Sequence, residues 1–215
     1  HHEEAALLTD VDDILQDRMM RLVDYQSEDY AQAYVSRVRL LESEVSEDLE
    51  STELFREVST QLYRLMALKD EYEVARILTS SAKAGTVFGK ASTARPTFYF
   101  APPILSKIFS QNSQPRKFRF GSWILGPLRL LARLKILRGS PLDPFSLLRE
   151  RQEEREDLYR YLDDLKLIAA SVDQHTINIA TELAACVSTL RGYGHVRSRN
   201  RKKWLATRAD LRAML

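Results

Sequence analysis

The densest set of chemically capable side chains lies near the C-terminus. Arg191, Arg197, Arg199, Arg201, Lys202 and Lys203 crowd into one short stretch, with Tyr193, His195, Asn200 and Trp204 among them. Cationic side chains at this density bind anions, and arginine's planar fork matches a carboxylate or a phosphate. Gly192 and Gly194 flank Tyr193 and leave backbone amides near a helix start, where negative charge is favoured. The chemistry on offer is therefore binding, to a phosphate, a carboxylate or a nucleic acid strand. Arg191, Tyr193, His195, Arg197, Arg199 and Asn200 are the candidate contacts. The plainer reading is a solvated basic tail, or one docked onto the acidic N-terminal region.

Other chemistry has little to work with. Gly85-Thr86-Val87-Phe88-Gly89-Lys90-Ala91-Ser92 comes near to a phosphate-binding loop. The gap between its glycines is too short, and Ala91 stands where a magnesium-holding Ser or Thr belongs, so it reads as a plain loop. None of His1, His2, His175 and His195 has another His or Cys at a helical metal-binding spacing. Cys186 is the single cysteine. It excludes an internal disulfide and a cysteine-ligated iron–sulfur cluster within this chain, and in its apolar segment it reads as a small core residue. No nucleophile elbow and no paired-carboxylate motif stands out, so no catalytic residue is expected here.

The overall charge is near neutral, but it is unevenly spread. From His1 to Glu57 there are 16 acidic and 5 basic residues, from Gly85 to Gly139 10 basic and none acidic, and from Arg191 to Leu215 8 basic and one acidic. Blocks of opposite sign in one chain pair with each other or with a neighbouring domain more readily than they recruit an outside polyanion. The single cysteine and the acidic start, which lacks a signal peptide, fit a cytoplasmic protein. No apolar run is long enough to span a membrane.

The elements that must position these residues are mostly helical. Ile14, Leu15, Met19, Leu22 and Val23 form one apolar stripe after a candidate cap at Asp10. Ser27 marks a break, and the stripe resumes through Tyr30, Tyr34, Val38, Leu41 and Val45. Thr52 caps a second long pattern running from Phe55 to Ile77. All seven prolines fall between Pro96 and Pro144. The β-prone strings Thr97–Phe100 and Lys117–Phe120 predict a small hairpin over about residues 97–120, joined through Pro102 and Pro103. A helix from Pro127 to Arg138, closed by Gly139, is apolar nearly all round and is expected to be buried. Asp143-Pro144 predicts the start of a helix reaching Ala170, with Leu147, Leu148, Leu158, Tyr161, Leu162, Leu165 and Ile168 inward. The charge run Arg149–Asp157 reads as its solvated face. Asp173 caps a further helix, and Arg191-Gly192-Tyr193-Gly194 turns into a last basic one. The expectation is a mainly α, bundle-like single domain over residues 1–215.

Several strings, taken together, resemble the C-terminal domain of the large single-chain indolepyruvate ferredoxin oxidoreductases. They are Tyr25-Gln26 with Tyr30-Ala31, Lys69-Asp70-Glu71-Tyr72-Glu73-Val74-Ala75-Arg76, and Phe100-Ala101-Pro102-Pro103. Phe120-Gly121-Ser122-Trp123, Leu131–Lys135, Leu137–Phe145 and Arg191–Arg197 before Asn200 complete the set. The resemblance spans roughly residues 20 to 203. It implies a parent enzyme that oxidatively decarboxylates arylpyruvates to acyl-CoA and reduces ferredoxin. Thiamine diphosphate, magnesium and 4Fe-4S clusters would belong to upstream domains of that enzyme. This chain lacks a thiamine-binding signature and clustered cysteines, so it takes the role of a non-catalytic accessory domain. Its implied partners are those upstream domains, ferredoxin and a second copy in a homodimer. The alternative is a helical interaction module that binds a polyanion, nucleic acid or acidic protein, through the basic C-terminal segment. No nucleic-acid motif supports the nucleic-acid form.

Overall fold

The computed structural model describes residues 11–46, 49–83, 98–100 and 118–215. Among them the chain is mainly helical, and it divides into two compact units. One comprises residues up to Leu68 together with Arg138–Leu215; the other is Lys69–Leu137. The expected cap at Asp10, the Gly85–Ser92 loop and the Pro102-Pro103 connection lie outside the described residues.

Among the described residues the first unit is built from six α-helices. These are α1 (Val11–Tyr25), α2 (Glu28–Glu44), α3 (Thr52–Met66), α6 (Arg149–Ser171), α7 (Ile177–Cys186) and α8 (Gly194–Arg212). The intervening α4 (Glu71–Lys83) and α5 (Leu125–Arg133) belong to the second unit. The expected break at Ser27 is present: its side chain accepts from the Tyr30 amide at 3.2 Å and starts α2. Apolar residues at three- and four-residue spacing then turn inward. Ala31, Tyr34, Val38 and Leu41 of α2 are buried, as are Leu54, Val58, Leu62 and Leu65 of α3. Tyrosine hydroxyls carried into this core donate to backbone carbonyls. Tyr34 reaches Ser59 O at 2.8 Å, and Tyr161 reaches Ala184 O at 3.2 Å. Such bonds offset the cost of burying a polar group.

Three expectations for this unit are corrected. Ser51, not Thr52, holds the cap position of α3, and it makes no side-chain bond there. The helix expected from Asp143 begins at Arg149. Asp143 is instead the centre of the preceding loop, where its buried carboxylate accepts from the Gly139 amide at 2.9 Å and the Phe145 amide at 3.0 Å. An aspartate that satisfies nearby amides competes with helix formation. Leu147, expected inward, is 81 % exposed because it lies in that loop. Arg138 anchors the loop's near end: its guanidinium lies 3.7 Å from the Tyr25 ring centre and donates to Tyr25 O at 2.7 Å.

The second unit holds α4, two short strands and α5. The pattern from Phe55 to Ile77 is not one helix. It breaks after Met66, and Asp70 restarts it by accepting from the Glu73 amide at 2.8 Å. A local side-chain acceptor three residues ahead of an amide ends one helix and caps the next. The strands β1 (Phe98–Phe100) and β2 (Phe118–Phe120) pair antiparallel, with Phe98 opposite Phe120 and Tyr99 opposite Arg119. A 3-10 turn at Ser122–Ile124 leads into α5, so Pro127 sits inside the helix and not at its first position. Gly139, with φ of +72°, follows a further 3-10 turn at Leu134–Leu137. The expectation of a buried helix is also corrected. Within α5 only Leu128 is buried, while Leu130 is 60 % exposed and Ile136 beyond it 71 %. All-round apolarity therefore exceeds what this unit covers.

Candidate functional site

The turn before α8 is set by backbone conformation. Gly192 has φ of +94° and Gly194 φ of +53°, in the left-handed region that favours glycine. A Cβ at Gly192 would stand 2.7 Å from Val196 Cγ1, whereas one at Gly194 would meet nothing within 4 Å. Asn200 clamps the turn from the helix by donating to Arg191 O at 2.9 Å. Arg191 Nε in turn donates to Ser188 O at 3.0 Å. Gly192→Ala is expected to cost about 2–3 kcal/mol, from strain plus the clash, against about 1 kcal/mol for Gly194→Ala. Urea denaturation of the two variants tests this order; equal losses would show that the Val196 contact yields freely.

From that turn α8 presents two faces. Arg197, Arg201, Trp204, Arg208, Leu211 and Arg212 recur at helical spacing and face the unit's interior, where Trp204 is 1 % exposed. Their counterparts on α6 are Asp157 and Asp164, both fully buried. Arg201 Nε donates to Asp157 at 2.7 Å, and Arg197 Nη2 does so at 3.2 Å. Arg208 Nε donates to Asp164 at 2.7 Å, and Arg212 Nη1 at 2.5 Å. Exposed Glu156 and Asp163 add outer contacts, to Arg201 at 3.0 Å and to Arg212 at 3.2 Å. Asp157 and Asp164 lie two helical turns apart, as do Arg201 and Arg208, so the two rows match in register. This corrects the reading of Arg149–Asp157 as a solvated face. Asp157 is buried, Arg151 and Glu154 pair with each other in a half-buried setting, and Arg155 donates to Ser146 O at 2.7 Å. Burial pushes the Asp157 and Glu154 carboxyls above their ordinary values, against the pull of the neighbouring arginines.

The basic segment thus finds carboxylates on α6. Several acidic residues of α1–α3 pair among those helices: Asp17 with Arg21, Asp12 and Glu42 with Arg39, and Glu53 with Arg56. Sequence reasoning missed the two buried aspartates. The signal was the shared seven-residue spacing of Asp157–Asp164 and Arg201–Arg208.

The opposite face of α8 stays in solvent. His195, Arg199 and Lys202 form a stripe at four- and three-residue spacing, with Lys203 beside it, and all four are exposed. Among the described residues no acidic group pairs with Arg199, Lys202 or Lys203. Tyr193, 76 % exposed, stands at the start of this face. Of the six sequence candidates, Arg197 is turned inward to Asp157 and Asn200 is spent on the turn. Arg191, Tyr193, His195 and Arg199 remain at the surface.

The half-buried Cys186 thiol is pushed up to about 11 by burial and lies 3.1 Å from Leu183 O, so it stays protonated near neutral pH. His175 is exposed in the loop where Asp173 accepts from the His175 amide at 2.8 Å and the Thr176 amide at 2.9 Å. Those bonds pull Asp173 below its usual range. Among the described residues no cluster of His, Cys, Asp and Glu is placed to hold a metal ion, and no helix is long and apolar enough to cross a membrane.

The model of a family of unknown function, DUF6537, matches residues 11–210 of the chain. No curated protein and no solved structure matches it.

Proposed function

The chain belongs to the DUF6537 family, whose function is unknown, and we propose that it is a non-catalytic accessory segment of a thiamine diphosphate-dependent indolepyruvate ferredoxin oxidoreductase. In that reading its outer cationic face on α8 docks an acidic partner, and the first partner to test is ferredoxin. The observation that carries the proposal is the division of labour along α8. Four arginines are spent on buried aspartates, while Arg199, Lys202 and Lys203 are held at the surface without an acidic partner among the described residues. Holding those charges on a pinned helix pre-organises them for an anionic surface.

The resemblance supports the placement in the oxidoreductase. Its strings fall at caps and turns: Asp70 starting α4, Gly139 and Asp143 building the loop, Gly192 and Gly194 starting α8. Two of them meet, Arg138 lying on Tyr25. The residues present do not fit the parent's redox groups. One cysteine cannot by itself hold a 4Fe-4S cluster, so the clusters are assigned to upstream domains; the resemblance assigns thiamine diphosphate and magnesium there too, and no chemical step is placed in this chain.

The test uses the parent enzyme carrying Arg199→Glu and Lys202→Glu. The KM for ferredoxin is expected to rise at least about tenfold at low salt and to converge on the parent value at high salt. Reduction of a viologen dye should be unchanged. An unchanged ferredoxin KM would overturn the docking role. The second reading, a polyanion-binding module, is favoured by the same face. It predicts binding to DNA that falls log-linearly with salt and is lost in the same variant.

A further inference from the structure

A groove of about 480 Å³ runs between α2 and α6, inside the first unit. Leu41, Leu162 and Leu165 form its floor, and Leu40 and Tyr159 stand at its lips, 57 % and 68 % exposed. Arg37 and Glu44 flank it along α2, and Lys166 flanks it on α6 together with Asp163, which is paired with Arg212. Arg37 donates to Ala33 O at 3.3 Å and lies 3.8 Å from Met66 Sδ. Glu44 and Lys166 are exposed. No ion pair engages Arg37, Glu44 or Lys166 among the described residues, whereas Arg39 and Glu42, between Arg37 and Glu44, are paired at 2.7 Å.

The pattern on α2 is self-complementary. Arg37 and Glu44 lie two helical turns apart, about 10 Å along the axis, with Leu40 and Leu41 midway. An antiparallel second α2, related by a twofold axis between Leu40 and Leu41, would set Arg37 opposite the partner's Glu44. The same axis sets Glu44 opposite the partner's Arg37, as an isologous contact requires. Each protruding Leu40 would then enter the other copy's groove. A small ligand fits this site less well, because ligand pockets enclose most of their occupant and this groove is open at its lips. We propose that the α2–α6 groove is a twofold self-association surface of this chain. The inference stands on the groove and not on the oxidoreductase reading.

The test is the oligomeric state of the 215-residue chain, measured by sedimentation velocity at about 1–100 µM. A dimer is expected. Glu44→Arg, and separately Arg37→Glu, should each weaken it at least about tenfold, because each sets like charges together twice per dimer. Mixing equal amounts of the two variants should restore a dimer. The two reversed charges then face each other, and the Arg37 that one chain retains faces the Glu44 that the other retains. Glu44 and Leu40 are exposed, so Glu44→Arg and Leu40→Lys keep the test if Arg37→Glu fails to fold. A monomer throughout that range would overturn the proposal and leave the groove to a different partner. So would a dimer indifferent to Glu44→Arg and Leu40→Lys.

Discussion

Asp164→Ala is expected to destabilise the first unit by about 3 kcal/mol, the low end for breaking a buried ionic contact. The low end applies because Arg208 and Arg212 keep 15 % and 29 % of their side chains exposed and can recover some hydration. The carboxylate itself is 1 % exposed, and two guanidiniums converge on it. Truncation leaves those donors without their acceptor and opens a small void. Glu156→Ala, at the exposed rim, should cost less than about 0.5 kcal/mol. Urea denaturation followed by helical circular dichroism measures both; equal losses would mean that the seam's buried part contributes no more than its rim.

Asp157 makes a like contact, with Arg201 and Arg197, and its contribution depends on pH. Burial raises its pKa above the ordinary 3.8, against the Arg201 hydrogen bond. The folded chain therefore holds this proton more tightly than the unfolded one. Its stability contribution is complete below 3.8 and declines as pH rises through the folded value. Glu154, raised from 4.5 mainly by burial, acts in the same direction. Asp157→Asn should flatten the slope of stability against pH in the window above 3.8 while costing less than Asp157→Ala. A slope unchanged by Asp157→Asn would place the titration elsewhere.

Trp204→Ala is expected to cost about 4 kcal/mol, as large-to-small changes at fully buried aromatics do. Trp204 is 1 % exposed, belongs to the main core cluster and lies beside Cys186. It is the apolar pin between the arginine pairs that hold α8 on α6. Its Nε1 finds no oxygen or nitrogen acceptor, so Trp204→Phe sacrifices no such bond and should cost only about 1.5 kcal/mol. The chain has two tryptophans, and Trp123 is 66 % exposed. In a Trp123→Phe background the fluorescence of the parent chain reports Trp204 alone and should shift to the red on unfolding, while the two Trp204 variants are compared with it by urea denaturation followed by helical circular dichroism. A loss below about 2 kcal/mol for the alanine variant would show that the core closes over the gap. Because the outer cationic face rides on the same helix, this variant should also weaken any partner that needs Arg199 and Lys202 held in register.

Local chemistry and the apolar helix faces were legible in the sequence, and the burial of charged groups was not. Ser27 breaks the first stripe, the apolar faces of α2, α3 and α7 are buried as their spacing predicts, and Gly192 and Gly194 turn the chain into α8. Each of those outcomes depends on a few neighbouring residues: a side-chain acceptor, a helical period, a missing Cβ. The pattern from Phe55 to Ile77 runs through Asp70 without a break and Asp143 reads as a cap, yet an aspartate beside a free amide can cap a helix, split one or build a loop. Only the surrounding packing chooses among these. The basic segment was the larger lesson. Its composition identified cations, but eight like charges carry no label saying which meet a carboxylate. That was decided when the fold laid α8 along the Asp157–Asp164 row of α6, a pairing between residues 44 positions apart in the chain. The sequence thus determined the helices and the charge they carry. The tertiary structure decided that Arg197, Arg201, Arg208 and Arg212 face inward and that Arg199, Lys202 and Lys203 face water, because burying a charge is tolerable only where an opposite one is already held in place.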